Sequence, residues 1–316
     1  MMKRLLLPLV LFSLHCTAAT TTYWAKGVNA DSGWHDADKS MQNDTKLCWA
    51  AAAANLIAWW QDLHPHIESE SPKGIDEVWA KFRASFQDGG GETLHSLRWW
   101  FSGGNLPGAM RRTEEGQKAG NYYSEMMRNY LDTGHSFPGT DLIQEEPKTN
   151  MSERLKELLT SGYGIGIGIR RIDENKKILP HWHMLSLWGI DYDDKKQCVT
   201  RVYLTDSDDV LPNISQSQKG LFSADVSTHE MVNDKGQPFT GLVLRNEAGW
   251  FRDNAVITTL IALNADFGEE AVVPKLKKSS AKKGADKKST DKKKAEAKEK
   301  KEAAKKAKKQ KKNARK

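Results

Sequence analysis

The residue types needed for hydrolysis by a thiol occur at three separate points of the chain. Cys48 opens an Ala-rich run, His181 and His183 lie at the head of an alternating apolar segment, and the acidic cluster 206–209 follows the next such segment. A thiolate nucleophile needs a base, and the base needs a group that orients it. A Cys on a helix, a His on a strand and an Asp at the end of the next strand therefore predict nucleophilic catalysis. Because His181 and His183 point to the same face of a strand, periodicity alone does not choose between them.

The surroundings of Cys48 favour an ionised thiol. The run from 48 to 60 is rich in Ala and predicts a helix, and residues 43–45 are of the kinds that cap a helix start. Cys48 would then lie at a helix N-terminus, where the macrodipole lowers the pKa of a thiol. Gln42 precedes it by six residues, the spacing at which papain-type enzymes place the amide that binds the oxyanion. The alternative is a buried structural Cys on an Ala-rich core helix.

Two other uses of these residues compete with catalysis. After removal of the leader, Cys48 and Cys198 are the two remaining cysteines, and in an exported protein they could form a disulfide. His and carboxylate side chains around 181–183 and 206–208 could bind zinc, but the chain has no paired-Cys or His-Glu-x-x-His signature. We therefore expect no metal and no cofactor.

The elements that must position these residues follow from periodicity. Helical spacing of apolar residues is seen first along the chain, and alternation typical of strands is seen second. This order favours an α+β arrangement with an antiparallel sheet, in which aromatic residues of the helices form core. The predicted helices are 48–60, 92–101, 122–131 and 151–159, and the predicted strands are 162–169, 181–192, 199–204, 241–245 and 255–263.

The two ends of the chain differ from the body in composition. Residues 1–19 combine a basic start, about ten apolar residues and small residues near Ala19, which predicts a signal peptide and export to a periplasm or the medium. A lipoprotein anchor at Cys16 is disfavoured because His15 is not a small residue. Residues 275–316 hold 21 Lys or Arg, 5 Asp or Glu and no aromatic residue, which predicts a disordered tail with a net charge of +16.

The body between these ends, 20–274, is predicted to be one peptidase domain without a membrane-spanning segment. It contains 25 basic and 36 acidic residues, so the positive charge of the chain is segregated in the tail. A nucleic-acid-binding fold is therefore disfavoured. The tail is either a solvated spacer or an anchor to anionic surfaces or polymers.

Several segments of the body resemble a family of secreted cysteine endopeptidases that cut immunoglobulin G, of the streptococcal Mac/IdeS type. The resemblance covers most of the body. It implies a papain-like α+β fold, with an N-terminal helical part that carries the nucleophile and an antiparallel sheet that carries the base and the acid. It rests on the segments Tyr23 to Val28, Gly33 to Lys39, Leu47 to Trp60, His183 to Asp191 and Tyr203 to Asp208.

The resemblance also implies a role for each matching residue. Cys48 would be the nucleophile, His183 the general base and Asp206 the residue that orients the imidazole. Asp208 would be a supporting carboxylate, and Lys39 would match a lysine that the family uses around its oxyanion hole.

The chain departs from the family next to the nucleophile. Trp49 follows Cys48 where the family carries Gly, and the segment from Lys39 to Cys48 is about one residue shorter. Gln42 and Lys39 are therefore rival or cooperating oxyanion donors. Gln42 is favoured, because an amide six residues before a Cys-Trp pair fits the papain-like geometry without a gap.

These observations together predict a secreted cysteine endopeptidase that acts on a protein substrate. The resemblance implies immunoglobulin G, cut near its hinge, as that substrate. The alternative is a non-catalytic module on the same fold that binds immunoglobulin or another host protein. Retention of Cys48, His183 and Asp206 favours the enzyme.

Overall fold

The computed structural model describes residues 20–132, 134–137, 140–146, 150–211, 219–233, 236–245 and 255–269. The predicted signal peptide, 1–19, and the Lys-rich tail, 275–316, lie outside the described residues. Six helices lie within the described ranges: α1 (Cys48–Leu63), α2 (Gly74–Ser85), α3 (Thr93–Ser102), α4 (Glu114–Lys118), α5 (Ser124–Asp132) and α6 (Met151–Thr160).

The same ranges contain eight strands, which form one antiparallel sheet. All four helices and all five strands expected from the sequence are confirmed, with ends that differ by a few residues. Strands β1, β2 and β6 and helices α2 and α4 were not predicted. The strands are β1 (Thr20–Trp24), β2 (Leu142–Glu145), β3 (Tyr163–Ile172), β4 (Ile178–Asp193), β5 (Cys198–Thr205), β6 (Phe222–Val232), β7 (Pro238–Arg245) and β8 (Ala255–Asn264).

Six of the strands close into a barrel. The order around it is β4, β3, β8, β7, β6 and β5, and β5 pairs again with β4, where Ser186 lies opposite Thr205. Strand β1 pairs with residues 189–193 of β4, and β2 pairs with β8. Every pairing is antiparallel, and because β5 pairs with β4, each barrel strand has a neighbour on both sides within the described residues.

The predicted papain-like α+β fold is therefore wrong. The sequence pattern indicated antiparallel strands, but it did not indicate that β5 would pair with β4 and close the sheet into a barrel. Closure depends on the pairing of β5 with both β4 and β6, and such long-range pairing leaves no trace in the alternation of apolar residues within one strand.

Helix α1 packs on β3 and β4 of the barrel. Its residues from Cys48 to Gln61 are buried, so the helix is enclosed on nearly all sides. The glycines of β3 make this close approach possible, because a Cβ atom at Gly164 would meet the ring of Trp59 at 2.6 Å. The isoleucines that alternate with these glycines are fully buried on the other face of the strand.

The aromatic residues of α3 form core, as the sequence predicts. Trp99, Trp100 and Phe101 are at most 1% exposed. Trp60 of α1 contacts the Phe101 ring of α3 edge to face, with ring centroids 5.0 Å apart. This contact packs α3 against α1. Within the described ranges no helix combines the length and the apolar character needed to cross a membrane.

Candidate active site

Cys48 is the first residue of α1 and is buried. The expected side-chain cap from residues 43–45 is absent at this described helix end, where Leu47 occupies the N-cap position and no side chain accepts a hydrogen bond from the first turn. Asp44 instead accepts hydrogen bonds from the backbone N–H groups of Ser40 and Met41, both at 2.8 Å. The first turn also holds no acidic residue. The positive end of the helix dipole is therefore not neutralised by the helix itself, which favours a thiolate at Cys48.

His183 and Asp206 form a buried pair. His183 Nε2 lies 2.6 Å from Asp206 Oδ1, and the two residues are 3% and 5% exposed. The N–H of Asp208 donates to the same Asp206 oxygen at 3.0 Å. With Nε2 held by the carboxylate, Nδ1 is the ring nitrogen that remains for the hydrogen bond between His183 and Cys48.

Electrostatics shift the three residues toward their charged forms. Burial by itself would raise the pKa of the Cys48 thiol, but the hydrogen bond and charge of His183, the charge of Lys39 and the Met184 N–H outweigh it and lower that pKa. Burial would lower the pKa of His183, but the charge and hydrogen bond of Asp206 and the contact with Cys48 hold it well above its ordinary value. Burial likewise opposes the ionised form of Asp206, whose pKa is nevertheless lowered, mainly by His183. The arrangement thus stabilises a thiolate beside an imidazolium.

Lys39 is buried beside this cluster. It is 2% exposed, its ammonium group pairs with Asp208, and Nζ donates to the carbonyl oxygen of Thr45 at 2.8 Å. Its backbone N–H donates to the Ser207 carbonyl at 3.0 Å. These bonds join the segment before α1 to the segment after β5, and they bring a fixed positive charge close to Cys48.

Gln42 lies in a different environment. Its side chain is exposed, and its backbone N–H donates to Ser40 Oγ at 3.4 Å. The neighbouring Met41 has a φ of 62°, in the left-handed region, so the chain turns sharply at this point. Of the two expected oxyanion donors, Lys39 is the buried one whose charge acts on Cys48. The catalytic roles of both remain predictions.

Two alternatives left open by the sequence concern the second histidine, His181, and the second cysteine, Cys198. His181 is exposed whereas His183 is buried, so the two rings that periodicity left equivalent have different surroundings. Cys48 and Cys198 are both free thiols, and the alternative of a disulfide between them is wrong.

Two groups of side chains offer ligand atoms within 4.8 Å of one another, namely His183 with Asp206 and Asp208, and Asp36 with Asp38 and Asp209. In the first group His183 and Asp206 are bonded to each other and Lys39 is paired with Asp208, so its members already have charged partners. No metal is part of the reaction derived below.

The second group was not predicted from the sequence. Burial, together with the nearby Asp209 carboxylate, raises the pKa of Asp36 to about 9 and that of Asp38 to about 6. These two residues lie ten and more positions before the nucleophile, and nothing in their spacing indicates that they meet Asp209. A second missed residue is Asn55, the one amide within the Ala-rich run of α1. Its polar character in an apolar helix was a signal that could have drawn attention to it.

Comparison with known proteins finds a distant similarity to a protein that is named as a protease. It is 23% identical to a protein named IgM protease from Streptococcus suis (strain P1/7), over an alignment of 285 residues. The alignment covers 78% of this chain, but the chain spans only 23% of that relative's length. No family model matches the chain.

Proposed function

We propose that the protein is a cysteine endopeptidase that hydrolyses peptide bonds of a protein substrate. The observation that carries the proposal is the buried cluster of Cys48, His183 and Asp206, with the pKa of the thiol lowered and that of the imidazole raised. Strongly shifted pKa values in opposite directions are typical of a nucleophile and its base. The similarity to a protease supports the same reaction class.

The reaction follows from this geometry. The Cys48 thiolate attacks the carbonyl carbon of the scissile peptide bond and forms a tetrahedral oxyanion. The Cys48 backbone N–H and the Lys39 ammonium stabilise this oxyanion, with Gln42 as the rival donor. When the C–N bond breaks, the imidazolium of His183 gives its proton to the leaving amine, and a thioester remains.

Hydrolysis of the thioester completes the cycle. His183 takes a proton from a water molecule, which attacks the thioester carbon, and the C–S bond breaks to release the carboxylic acid. The thiolate of Cys48 and the imidazolium of His183 are then restored. Asp206 stays ionised throughout and holds the ring through Nε2, so that Nδ1 remains directed at the sulfur.

The proposed substrate is an immunoglobulin. The relative's name refers to immunoglobulin M, and the resemblance found in the sequence points to immunoglobulin G. Both observations support an immunoglobulin as the protein substrate. Export belongs to the same proposal, because an antibody would be met outside the cell and the first 19 residues have the composition of a signal peptide.

The test is to incubate the full chain with purified immunoglobulin M and immunoglobulin G and to map new N-termini. Cys48→Ala should lower cleavage by about a thousandfold or more, because the nucleophile is lost. Cys198→Ala is the matched control, since it removes the other described thiol and should cleave like the unmodified chain. Circular dichroism of each variant checks the fold.

Two outcomes would overturn the proposal. Equal cleavage by the Cys48→Ala variant would exclude the thiol mechanism. Tight binding of immunoglobulin without any new N-terminus would favour the non-catalytic binding module instead.

A further inference from the structure

Asn55 lies seven residues after Cys48 on α1, which is two helical turns, so the two side chains share one face of the helix. The residue is 2% exposed, and the positions before it, from 50 to 54, are all buried alanines. An amide in such surroundings loses its hydration, and burial of a polar group is unfavourable unless a hydrogen bond replaces the lost water.

The amide of Asn55 is bonded to β4, which carries His183, and to the last residue of β5, which Asp206 follows. Its Nδ2 donates to Ser186 Oγ of β4 at 3.0 Å and lies 3.5 Å from Thr205 Oγ1 of β5. Ser186 follows His183 by three residues, and Thr205 immediately precedes Asp206. Ser186 and Thr205 are also register partners at the seam where the barrel closes.

The Thr205 hydroxyl is fixed by further bonds. It donates to the carbonyl oxygen of His35 at 2.9 Å and accepts from Trp188 Nε1 at 3.0 Å. A hydroxyl has one proton, so with that proton given to His35 the oxygen can only accept from Trp188 and Asn55. The direction of the bond from Asn55 is thereby determined.

We propose that Asn55 is a positioning residue, whose side-chain amide fixes α1 against β4 and β5 and so sets the position of Cys48 relative to His183 and Asp206. The inference rests on the proposed function. Asn55 Oδ1 has no hydrogen-bond partner within the described chain, so the residue is not the choice that stability alone would favour. A buried polar contact that specifies one arrangement of the elements explains its presence better.

The helix supplies a matched control. Gln61 is a second buried amide on α1, but it bonds Ser71 Oγ, the Pro72 carbonyl and Tyr123 OH, at 3.1, 2.9 and 3.0 Å, and none of these belongs to the strands of the site. The experiment compares Asn55→Leu with Gln61→Met in the full chain. Each change replaces an amide with an apolar side chain of similar size.

Three quantities are measured for each variant: the melting temperature, kcat and KM for cleavage, and the pH dependence of Cys48 alkylation by iodoacetamide, followed on the Cys48 peptide by mass spectrometry. Asn55→Leu should lower kcat about tenfold with KM nearly unchanged, and it should move the alkylation profile of Cys48 to higher pH. Gln61→Met should change the melting temperature only. Thr205→Val, which removes the acceptor on β5 and leaves Ser186 Oγ on β4, should change kcat and the alkylation profile in the same direction as Asn55→Leu, and Thr205→Ser should restore the behaviour of the unmodified chain.

The positioning role would be overturned if Asn55→Leu and Thr205→Val both shifted only the melting temperature, as Gln61→Met does. If Asn55→Leu does not fold, the pair Thr205→Val and Thr205→Ser decides the question in the same way. Failure of the proposed function has a different signature, because cleavage would then survive in Cys48→Ala or the unmodified chain would bind immunoglobulin without producing a new N-terminus. The alkylation profile needs no substrate and reports on the position of Cys48 in either case.

Discussion

At the scale of single residues, the chemistry of the candidate site depends on two opposite pKa shifts. The pKa of Cys48 is lowered and that of His183 is raised, and each charged form stabilises the other. Activity that needs the thiolate is lost as the pH falls through the lowered pKa of Cys48. Activity that needs the imidazolium is lost as the pH rises through the raised pKa of His183. A bell-shaped pH profile of kcat/KM is therefore expected.

Lys39 and Gln42 are expected to differ sharply when mutated. Lys39→Met should lower kcat about a hundredfold if the ammonium group binds the oxyanion. It should also move the acid limb of the profile to higher pH, because the positive charge of Lys39 contributes to the lowered pKa of Cys48. Gln42→Ala should leave both nearly unchanged, since its side chain is exposed. Steady-state kinetics over a range of pH measure both effects.

Replacement of Lys39 is also expected to lower the stability of the fold, and this effect needs its own control. Removal of Lys39 leaves Asp208 as an unpaired charge, which is 14% exposed at its side chain, and loss of one partner of such a pair costs about 3 kcal/mol. The double variant Lys39→Met with Asp208→Asn removes both charges and should recover much of that loss, as measured by urea unfolding. A large loss of kcat in Gln42→Ala with an unaffected Lys39→Met would reverse the assignment of the donor.

The sequence favoured Gln42 on its spacing alone, whereas the burial of each donor depends on the path of a loop. A spacing of six residues before a Cys says nothing about which side chain turns inward. The left-handed φ of Met41 and the bonds that Asp44 accepts set the turn, and with it the burial of Lys39 and the exposure of Gln42. Cys48 and Asp206 were easier to propose, since the first begins and the second follows an element with clear periodicity, and the family resemblance selected His183 over His181.

At the scale of elements, the contact of α1 with β3 determines where the nucleophile lies. The alternation of Gly with Ile in β3 predicts a strand that another element approaches closely, and the approaching element is α1 itself. At Gly164 a Cβ atom would lie 2.6 Å from the Trp59 ring, whereas at Gly166 it would lie 3.6 Å from Met184 Cε, an ordinary contact distance.

Gly164→Ala should therefore displace α1 and Cys48 with it. We expect a loss of about 1–3 kcal/mol from overpacking, together with a lower kcat, because Trp59 cannot move without its helix. Gly166→Ala is the matched control on the same strand and should be neutral or slightly stabilising, since neither glycine has a positive φ. Urea unfolding and kcat are measured for both. Equal stability and activity of the two variants would show that the close contact at Gly164 does not position the helix.

At the scale of the whole molecule, the fold class was the part that sequence reasoning predicted wrongly. Periodicity within each segment predicted most elements, and it missed strands that are short or that alternate weakly, such as β1 and β2. Closure of the barrel requires β5 to pair with β4 on one side and β6 on the other, and no local pattern encodes which strand edges meet. The same limitation explains why the link from Asn55 to Ser186 and Thr205 was not predicted, because it spans 131 and 150 residues of chain.

The distribution of charge over the whole chain gives the last prediction. Residues 275–316 hold 21 of the 48 basic residues, and the chain up to residue 274 is left with more acidic than basic groups. The last described strand, β8, ends at Asn264, and the residues of the candidate site all precede it. We therefore expect the chemical step to be independent of the tail. We expect attraction to anionic polymers to depend on it, because Lys contacts with phosphate or sulfate groups release counterions and weaken as salt is added.

Removal of 275–316 should leave cleavage of a short peptide unchanged while it lowers the salt concentration at which the protein elutes from heparin. A full-length variant with the tail lysines replaced by Gln is the matched control, since it keeps the length of the chain and removes its charge, and it should elute like the truncated protein. If truncation instead abolishes peptide cleavage while the Gln variant keeps it, residues beyond 274 belong to the folded enzyme. The predicted boundary at 274 would then be wrong, and the charge of the tail would be unrelated to the chemistry of Cys48.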